Sequence, residues 1–245
     1  MMAAQDKHKS SVELVAWVKS LILFGMGTYL TLLLATGNLN NYINQRFAWL
    51  VAVGALLFFV LALVNLVSSL KPAEQAHEHH HYHITWDMLL VVAFPLLLAI
   101  AIPSRSLGIE AVNGGVSLSP VGISSVSRNP LDRNILDWLR EFDRAPTPAQ
   151  FNGSPVDVLG FVYREPPHPA DGFMIARFTM SCCVADAFPI GMPVMASGSE
   201  QYTAGDWLRV RGQLKATAFG ADFLPVVFAD AIEPVDEPRQ PYLYP

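Results

Sequence analysis

Five of the seven histidines in this 245-residue sequence fall in the string HEHHHYH, a pattern that indicates metal binding. The string contains the imidazoles of His77, His79, His80, His81 and His83. Neutral imidazole is a common ligand of zinc, nickel and copper. The spacing is not that of a structural zinc site, so we expect labile binding of a divalent transition metal, with zinc as the first candidate. The alternative is a solvated polar linker.

The segment RFTMSCCVADA, residues 177–187, holds both cysteines of the chain, Cys182 and Cys183, with Asp186 three residues further on. Neighbouring side chains of an extended strand point to opposite faces, so we expect one cysteine to face the core and the other a groove. Three interpretations stay open. The cysteines are inert, or Cys183 and Asp186 belong to a soft-metal site, or the pair is a vicinal disulfide or redox pair.

Sequence signatures of catalysis are missing, and we expect no enzymatic activity. There is no GxSxG, HExxH, GxGxxG or Walker pattern. The one histidine of the C-terminal half, His168, lies in the proline-rich turn PPHPAD, which is a poor support for a positioned general base.

Composition divides the chain into an apolar first part and a polar second part. Hydrophobic residues make up 52% of the sequence and charged residues 15%, below the roughly 25% charged of an average soluble domain. Residues 1–103 carry five basic and five acidic side chains, so the whole net charge of −5 belongs to the residues that follow. The chain lacks the basic footprint that phosphate binding requires, and we expect no nucleic-acid partner.

Three long uncharged runs, 20–45, 47–70 and 88–104, predict about three transmembrane helices. A bilayer core about 30 Å thick needs roughly 20 helical residues to cross it. The third run is marginal and contains Pro95, so a buried helix or a re-entrant segment is the alternative. No ionisable residue lies inside the runs, which favours an accessory protein over a complete carrier. Asn65 is expected to bond between helices.

The basic residues that flank the runs predict a cytoplasmic N-terminus. Four lysines lie on one predicted side and two arginines on the other: Lys7, Lys9, Lys19 and Lys71 against Arg46 and Arg105. Three spans then place the histidine-rich loop, residues 71–87, in the cytoplasm. They place the C-terminal domain outside the bacterial plasma (inner) membrane, with membrane lipid around the multi-pass helices.

The transmembrane region, 1–103, is followed by a predicted irregular connector, 104–130, and a soluble α+β domain, 131–245. A helix is expected over Leu131–Phe142, with Asp132 as its N-terminal cap. Five strands follow in the prediction, at 156–163, 173–180, 191–196, 207–214 and 224–231. This pattern favours a mainly β domain, a small OB-like five-stranded barrel preceded by one helix, and a small open sandwich is the alternative.

Several segments between Gly37 and Pro245 together resemble the YcgQ type, a family of bacterial membrane proteins. They are GNLNNYINQRFAWL, the histidine-rich loop, LGFVYREP, RFTMSCCVADA, DWLRVRGQL, LPVVFADAIEP and QPYLYP. The resemblance implies a two-component permease in which this chain accompanies a larger polytopic permease subunit, with a link to metal handling. The shared Cys-x-Ala-Asp pattern falls on Cys183, Ala185 and Asp186. Cys182 lies where the pattern is less constant, which weakens the vicinal-disulfide interpretation.

Two functional hypotheses from different classes follow. In the first, the chain is an accessory permease subunit with a metal-binding histidine-rich loop and a soluble sensing or docking domain that acts in divalent metal homeostasis. In the second, it is a membrane-anchored interaction module. The OB-like domain then binds a protein or an envelope ligand, without a role in transport.

Overall fold

The computed structural model describes residues 2–70, 86–119, 122, 126–166 and 168–245, with only the helical course given for 2–13 and 86–88. The chain forms two compact units. The first contains residues 1–39 and 45–105, and the second contains residues 40–44 and 106–245. The short piece 40–44 comes from the connection between the first two helices and yet belongs to the second unit. We call it the connecting segment.

In its described residues the first unit contains three α-helices, α1 (Met2–Thr36), α2 (Ala48–Leu70) and α3 (Trp86–Ala101). Two candidate spans, Leu14–Thr36 and Gln45–Leu70, are long and apolar enough to cross a membrane. The apolar part of α3, Leu89–Ala101, is shorter than that. The described helices therefore give two candidate spans where three were predicted, because the described part of α3 has 16 residues and its apolar part is Leu89–Ala101.

Polar and aromatic contacts join α1 to α2. The Asn65 amide donates hydrogen bonds to the Ala16 carbonyl at 3.0 Å and to the Ser20 hydroxyl at 2.7 Å. The rings of Phe24 and Phe59 meet edge to face, with centroids 5.4 Å apart. The prediction that Asn65 bonds between helices is confirmed, since an amide in an apolar helix pair is stabilised by partners on the facing helix.

The second unit contains one α-helix, α4, and five strands. Their bounds are α4 (Ile135–Arg144), β1 (Pro155–Tyr163), β2 (Gly172–Thr179), β3 (Phe188–Met195), β4 (Trp207–Phe219) and β5 (Asp222–Pro234). The predicted helix start and cap were wrong. Residues 130–132 form a separate 3-10 turn, and Asn134 caps α4 with Asp137 in a reciprocal capping box.

The five strands form a mixed sheet in the order β1-β2-β3-β5-β4, which closes because β4 also pairs with β1. The β3–β5 pair is parallel and the other pairs are antiparallel. Strand β4 alternates as predicted: Leu208 and Val210 are buried, whereas Arg209 and Arg211 face solvent. One face of α4 joins the core of the closed sheet through Ile135, Trp138 and neighbouring apolar residues.

Candidate functional site

The predicted metal ligands fall in two parts of the chain. The histidine-rich string, with His77, His79, His80, His81 and His83, lies outside the described residues. Cys183 and Asp186 lie in the loop 180–187 that joins β2 to β3. Among the described residues, the candidate site is therefore this loop together with the segments that pack on it.

The Asp186 carboxylate closes the loop on itself. The backbone N–H of Ser181 donates to Oδ1 at 3.0 Å, and the N–H of Cys182 donates to Oδ2 at 2.8 Å. The N–H of Asp186 in turn donates to the Cys183 carbonyl at 3.0 Å. Burial opposes ionisation of Asp186, but the hydrogen bonds from the Cys182 thiol and from the backbone outweigh it and lower the pKa of the carboxyl. An ionised Asp186 thus fixes the backbone that carries both cysteines.

The two thiols lie side by side on the surface of the loop. Their Sγ atoms are 3.8 Å apart, Cys182 is exposed, Cys183 is partly buried, and both are free. The prediction that one cysteine faces the core was wrong, because β2 ends at Thr179 and a 3-10 turn begins at Val184. Cys182 and Cys183 therefore lie outside any strand, and their side chains do not alternate between two faces as those of a strand do.

The environment of Cys182 favours the protonated thiol. Hydrogen bonding to the Asp186 carboxylate, together with the neighbouring Cys183, raises the pKa of Cys182 to about 11. A reactive cysteine needs the thiolate, which a neighbouring cation or a helix N-terminus stabilises. Here the neighbouring charge is negative, so the geometry does not favour a nucleophilic thiol.

The connecting segment, residues 40–44, pairs with this loop like a short antiparallel strand. Ile43 lies opposite Cys183 in a β-bridge, with the Asn44 N–H donating to the Cys182 carbonyl at 3.0 Å. On the other side of the bridge the Val184 N–H donates to the Tyr42 carbonyl at 2.8 Å. The Asn44 side-chain amide adds a hydrogen bond to the Ser181 carbonyl at 3.0 Å. The cysteine loop is thus held by Asp186 from within and by the connecting segment from outside.

The C-terminal tail completes the surroundings of the loop. Arg177, buried on β2, donates to the carbonyls of Pro241 at 3.1 Å and Gln240 at 2.5 Å. Burial lowers the pKa of Arg177 to about 10, which leaves it charged at neutral pH. The hydroxyl of the buried Tyr242 accepts a hydrogen bond from the Leu107 N–H at 2.9 Å and donates to the Asn41 carbonyl at 3.4 Å. Tail, connector and connecting segment therefore meet at one side chain.

Among the described residues, no group of three or more histidine, cysteine, aspartate or glutamate side chains is gathered as a metal site. Both oxygens of Asp186 already accept backbone hydrogen bonds. The contribution of Asn44 and Tyr42 was missed by sequence reasoning. The polar string NNYINQ between two apolar runs was the available signal, but it is also typical of an ordinary loop.

A second concave surface lies at the other end of the closed sheet. It is a groove of about 340 Å³ that is lined by residues of the β1–β2 turn, the β4–β5 turn and the glycines of the connector, among them Gly114, Gly115, Tyr163, Glu165, His168 and Phe219. The rings of His168 and Phe219 contact each other, with centroids 5.0 Å apart. The Tyr163 hydroxyl donates to the Glu165 carboxylate at 2.5 Å.

Both parts of the chain match domains of a known protein family. Residues 18–115 match the DUF1980 N-terminal domain and residues 130–245 match the DUF1980 C-terminal domain. The chain belongs to the DUF1980 family. The two matches cover the second half of α1, the whole of α2, α3 and α4, and the whole closed sheet.

Two full-length relatives are similar to the chain from end to end. A protein of Streptococcus mutans, provisionally named a two-component membrane permease complex subunit, is 21% identical over 93% of this chain and 98% of its own length. The protein YcgQ of Bacillus subtilis is 22% identical over 91% of this chain and 98% of its own length. The predicted resemblance to the YcgQ type is confirmed.

Proposed function

We propose that this chain is the accessory subunit of a membrane permease complex in the bacterial plasma membrane, and that it has no catalytic role. The observation that carries the proposal is the similarity to two relatives over 93% and 91% of this chain, one of which is named as a subunit of a membrane permease complex. The apolar stretches of the helices support it. The runs 20–45, 47–70 and 88–104 contain no Asp, Glu, Lys, Arg or His with which a single chain could pass ions through its own body.

The connecting segment supports a third membrane crossing. If α1 and α2 both span the bilayer, residues 40–44 lie at one membrane face and Leu70 at the other. Residues 106–245 belong to the same compact unit as residues 40–44, which supports a return of the chain across the membrane between 71 and 105. Helix α3 has 16 residues, about 24 Å of helix, and local bilayer thinning accommodates such a shortfall.

This path through the membrane separates the two groups of predicted metal ligands. The histidine-rich loop is proposed to lie in the cytoplasm and to bind a divalent metal, with zinc first. The C-terminal domain is proposed to lie outside, with its closed, OB-like sheet as the sensing or docking surface for a larger polytopic permease. The lysine bias around the helices supports this direction.

Deletion of the gene, with measurement of cellular zinc, copper and nickel under limiting and excess supply, tests the function. We expect an altered metal content that the intact gene restores and that a variant with all five loop histidines replaced by serine restores only partly. We also expect the tagged chain to co-purify with a polytopic permease in fixed stoichiometry. Unchanged metal content under every condition, together with purification as a solitary chain, would refute the proposal.

Reporter fusions test the membrane path. A green fluorescent protein joined after Pro72 should fluoresce, and an alkaline phosphatase joined after Gly153 should be active. The reciprocal fusions, the phosphatase after Pro72 and the fluorescent protein after Gly153, should be silent and serve as controls. The same reporter working at both positions would contradict a crossing between them.

A membrane-anchored interaction module is the second candidate, favoured by the groove between the β1–β2 and β4–β5 turns. Its lining combines the partly buried ring of Tyr163 and the buried ring of Phe219 with the exposed Glu165 carboxylate, which suits a small ligand or a peptide side chain. Such a module would work without the loop histidines. Full complementation by the five-serine variant, with loss of function on substitution of the exposed groove residue in Glu165→Ala, would favour this candidate.

A further inference from the structure

The cysteine pair has the dimensions of half a tetrahedral metal site. With metal–sulfur bonds of about 2.3 Å, two thiolates on a tetrahedral zinc ion lie about 3.8 Å apart. The Sγ atoms of Cys182 and Cys183 are separated by 3.8 Å. We propose that Cys182 and Cys183 chelate one thiophilic d10 cation of the zinc class through both sulfur atoms, with Asp186 as a positioning residue.

The loop holds the pair in this arrangement before any ion arrives. Asp186 accepts the N–H groups of Ser181 and Cys182, and the connecting segment bonds to the backbone on both sides of Cys183. A chelate whose ligands are already oriented loses less conformational freedom on binding than one on an unstructured chain. Because each Asp186 oxygen accepts a backbone N–H of the loop, we assign the carboxylate the role of orienting the thiols.

Two thiolates leave two positions of a tetrahedral ion open. Structural zinc sites are closed by four protein ligands, whereas catalytic zinc sites keep a position open for an exchangeable ligand. No third candidate ligand is gathered at the pair in the described parts of the chain. Cys182 is also exposed. Binding releases two protons, one from each thiol, and water or a donor group of another chain completes the coordination.

This inference deepens the proposed metal role of the complex and rests on the proposed function for its biological meaning. It assigns the ion to the pair Cys182 and Cys183 in place of Cys183 and Asp186. The site is suited to reversible capture and transfer at the face of the membrane where the C-terminal domain lies.

Cadmium is the probe, because its thiolate complexes give a charge-transfer absorption in the ultraviolet. The full chain in detergent, with the five loop histidines replaced by serine and with a phosphine as reductant, is titrated with Cd²⁺. We expect one ion per chain with the absorption of two thiolates, displaced by Zn²⁺. Cys182→Ser and Cys183→Ser should each lose about half of the absorption. Asp186→Asn should keep the band and bind about tenfold more weakly.

Thermal unfolding of each variant establishes that the domain is folded. A folded parent protein without the thiolate band would overturn the chelate. Single-cysteine variants that bind as tightly as the parent would overturn it equally. A chain that fails this titration and still co-purifies with its permease leaves the subunit role intact, so the two proposals fail separately.

Discussion

The backbone N–H of Asn44 donates a hydrogen bond to the carbonyl of Cys182 at 3.0 Å, although the two residues lie in different DUF1980 domains of the sequence. The Asn44 side chain bonds to the neighbouring Ser181 carbonyl. The connection between the first two helices is therefore structurally a part of the C-terminal domain. The cysteine loop is held by a segment that also links α1 to α2.

Asn44→Ala should destabilise the C-terminal domain by about 1 kcal/mol. The substitution removes the hydrogen bond from the side-chain amide to the Ser181 carbonyl, and Asn44 is buried. Thermal unfolding of the full chain in detergent measures the change. The control is Asn40→Ala: Asn40 is only partly buried, and its amide makes a longer contact, 3.4 Å, to the carbonyl of the exposed Arg239, so a smaller loss is expected. Equal losses in both variants would mean that the connecting segment is not specifically held.

Gly212→Ala should disrupt the closed sheet. Gly212 lies at the register irregularity between β4 and β5, and a Cβ atom there would lie 2.0 Å from the Phe228 carbonyl oxygen. Because that obstacle is backbone, a loss of about 3 kcal/mol or more in the unfolding free energy of the domain is expected. Gly54→Ala in α2, where the nearest atom is 3.9 Å away, is the control and should cost nothing. A fully stable Gly212→Ala protein would refute the pairing of β4 with β5 at this point.

Arg177→Met should release the C-terminal tail. The variant keeps the apolar bulk but leaves the carbonyls of Gln240 and Pro241 without their donor. A loss of about 2 kcal/mol is expected, together with faster digestion of residues 240–245 by carboxypeptidase. Arg144→Met removes an exposed arginine of α4 and should change neither quantity. A tail that stays protected in Arg177→Met would mean that Tyr242 and Leu243 alone hold it.

Low pH should lower the stability of the closed sheet, because protonation of Asp157 removes its ion pairs with Arg209 and Arg211. Arg209 forms a bidentate ion pair with Asp157 at 2.7 Å, and Arg211 adds a contact at 3.3 Å. The hydrogen bond from Arg209 is the main cause that lowers the pKa of Asp157. A lowered pKa in the folded state means that the pair stabilises above the unfolded value of 3.8 and that this contribution is lost as the pH falls through the folded value.

The ion pair is near the surface, so the expected contribution is at most about 1 kcal/mol. Stability measured from pH 6 down to about pH 2 should fall less steeply in Asp157→Asn than in the parent protein. Asp222→Asn, at the exposed β4–β5 turn, should keep the parent slope. If the stability of the parent protein and of Asp157→Asn showed the same pH dependence, the ion pair would not be a cause of the loss of stability in acid.

Local patterns in the sequence predicted the strands well. The alternation of Leu208 and Val210 with Arg209 and Arg211 fixed the orientation of β4, since one face of the strand is buried in the closed sheet. The start of α4 was harder to predict, because Asp132 and Asn134 are both good caps and the 3-10 turn at 130–132 decides between them. Such competition between neighbouring caps depends on packing that the local sequence does not record.

Long-range contacts could not be predicted in the same way. The positions of Cys182 and Cys183 depend on where β2 ends and on the turn that Asp186 closes. The pairing of Ile43 with Cys183 joins residues far apart in the chain. Nothing in the local composition of residues 40–44 distinguishes this segment from a solvated loop between two helices.

The most direct test of the account is a cross-link between Ile43→Cys and Cys183 in native membranes, with Cys182→Ser to remove the competing thiol. Directly opposed positions of an antiparallel bridge are close enough for a disulfide. The account predicts that mild oxidation joins the introduced thiol to Cys183 within one chain, as seen by mass spectrometry, and that Trp49→Cys in the same background gives no such link. Independent alkylation of both thiols under these oxidising conditions would contradict the docking of the connecting segment on the cysteine loop.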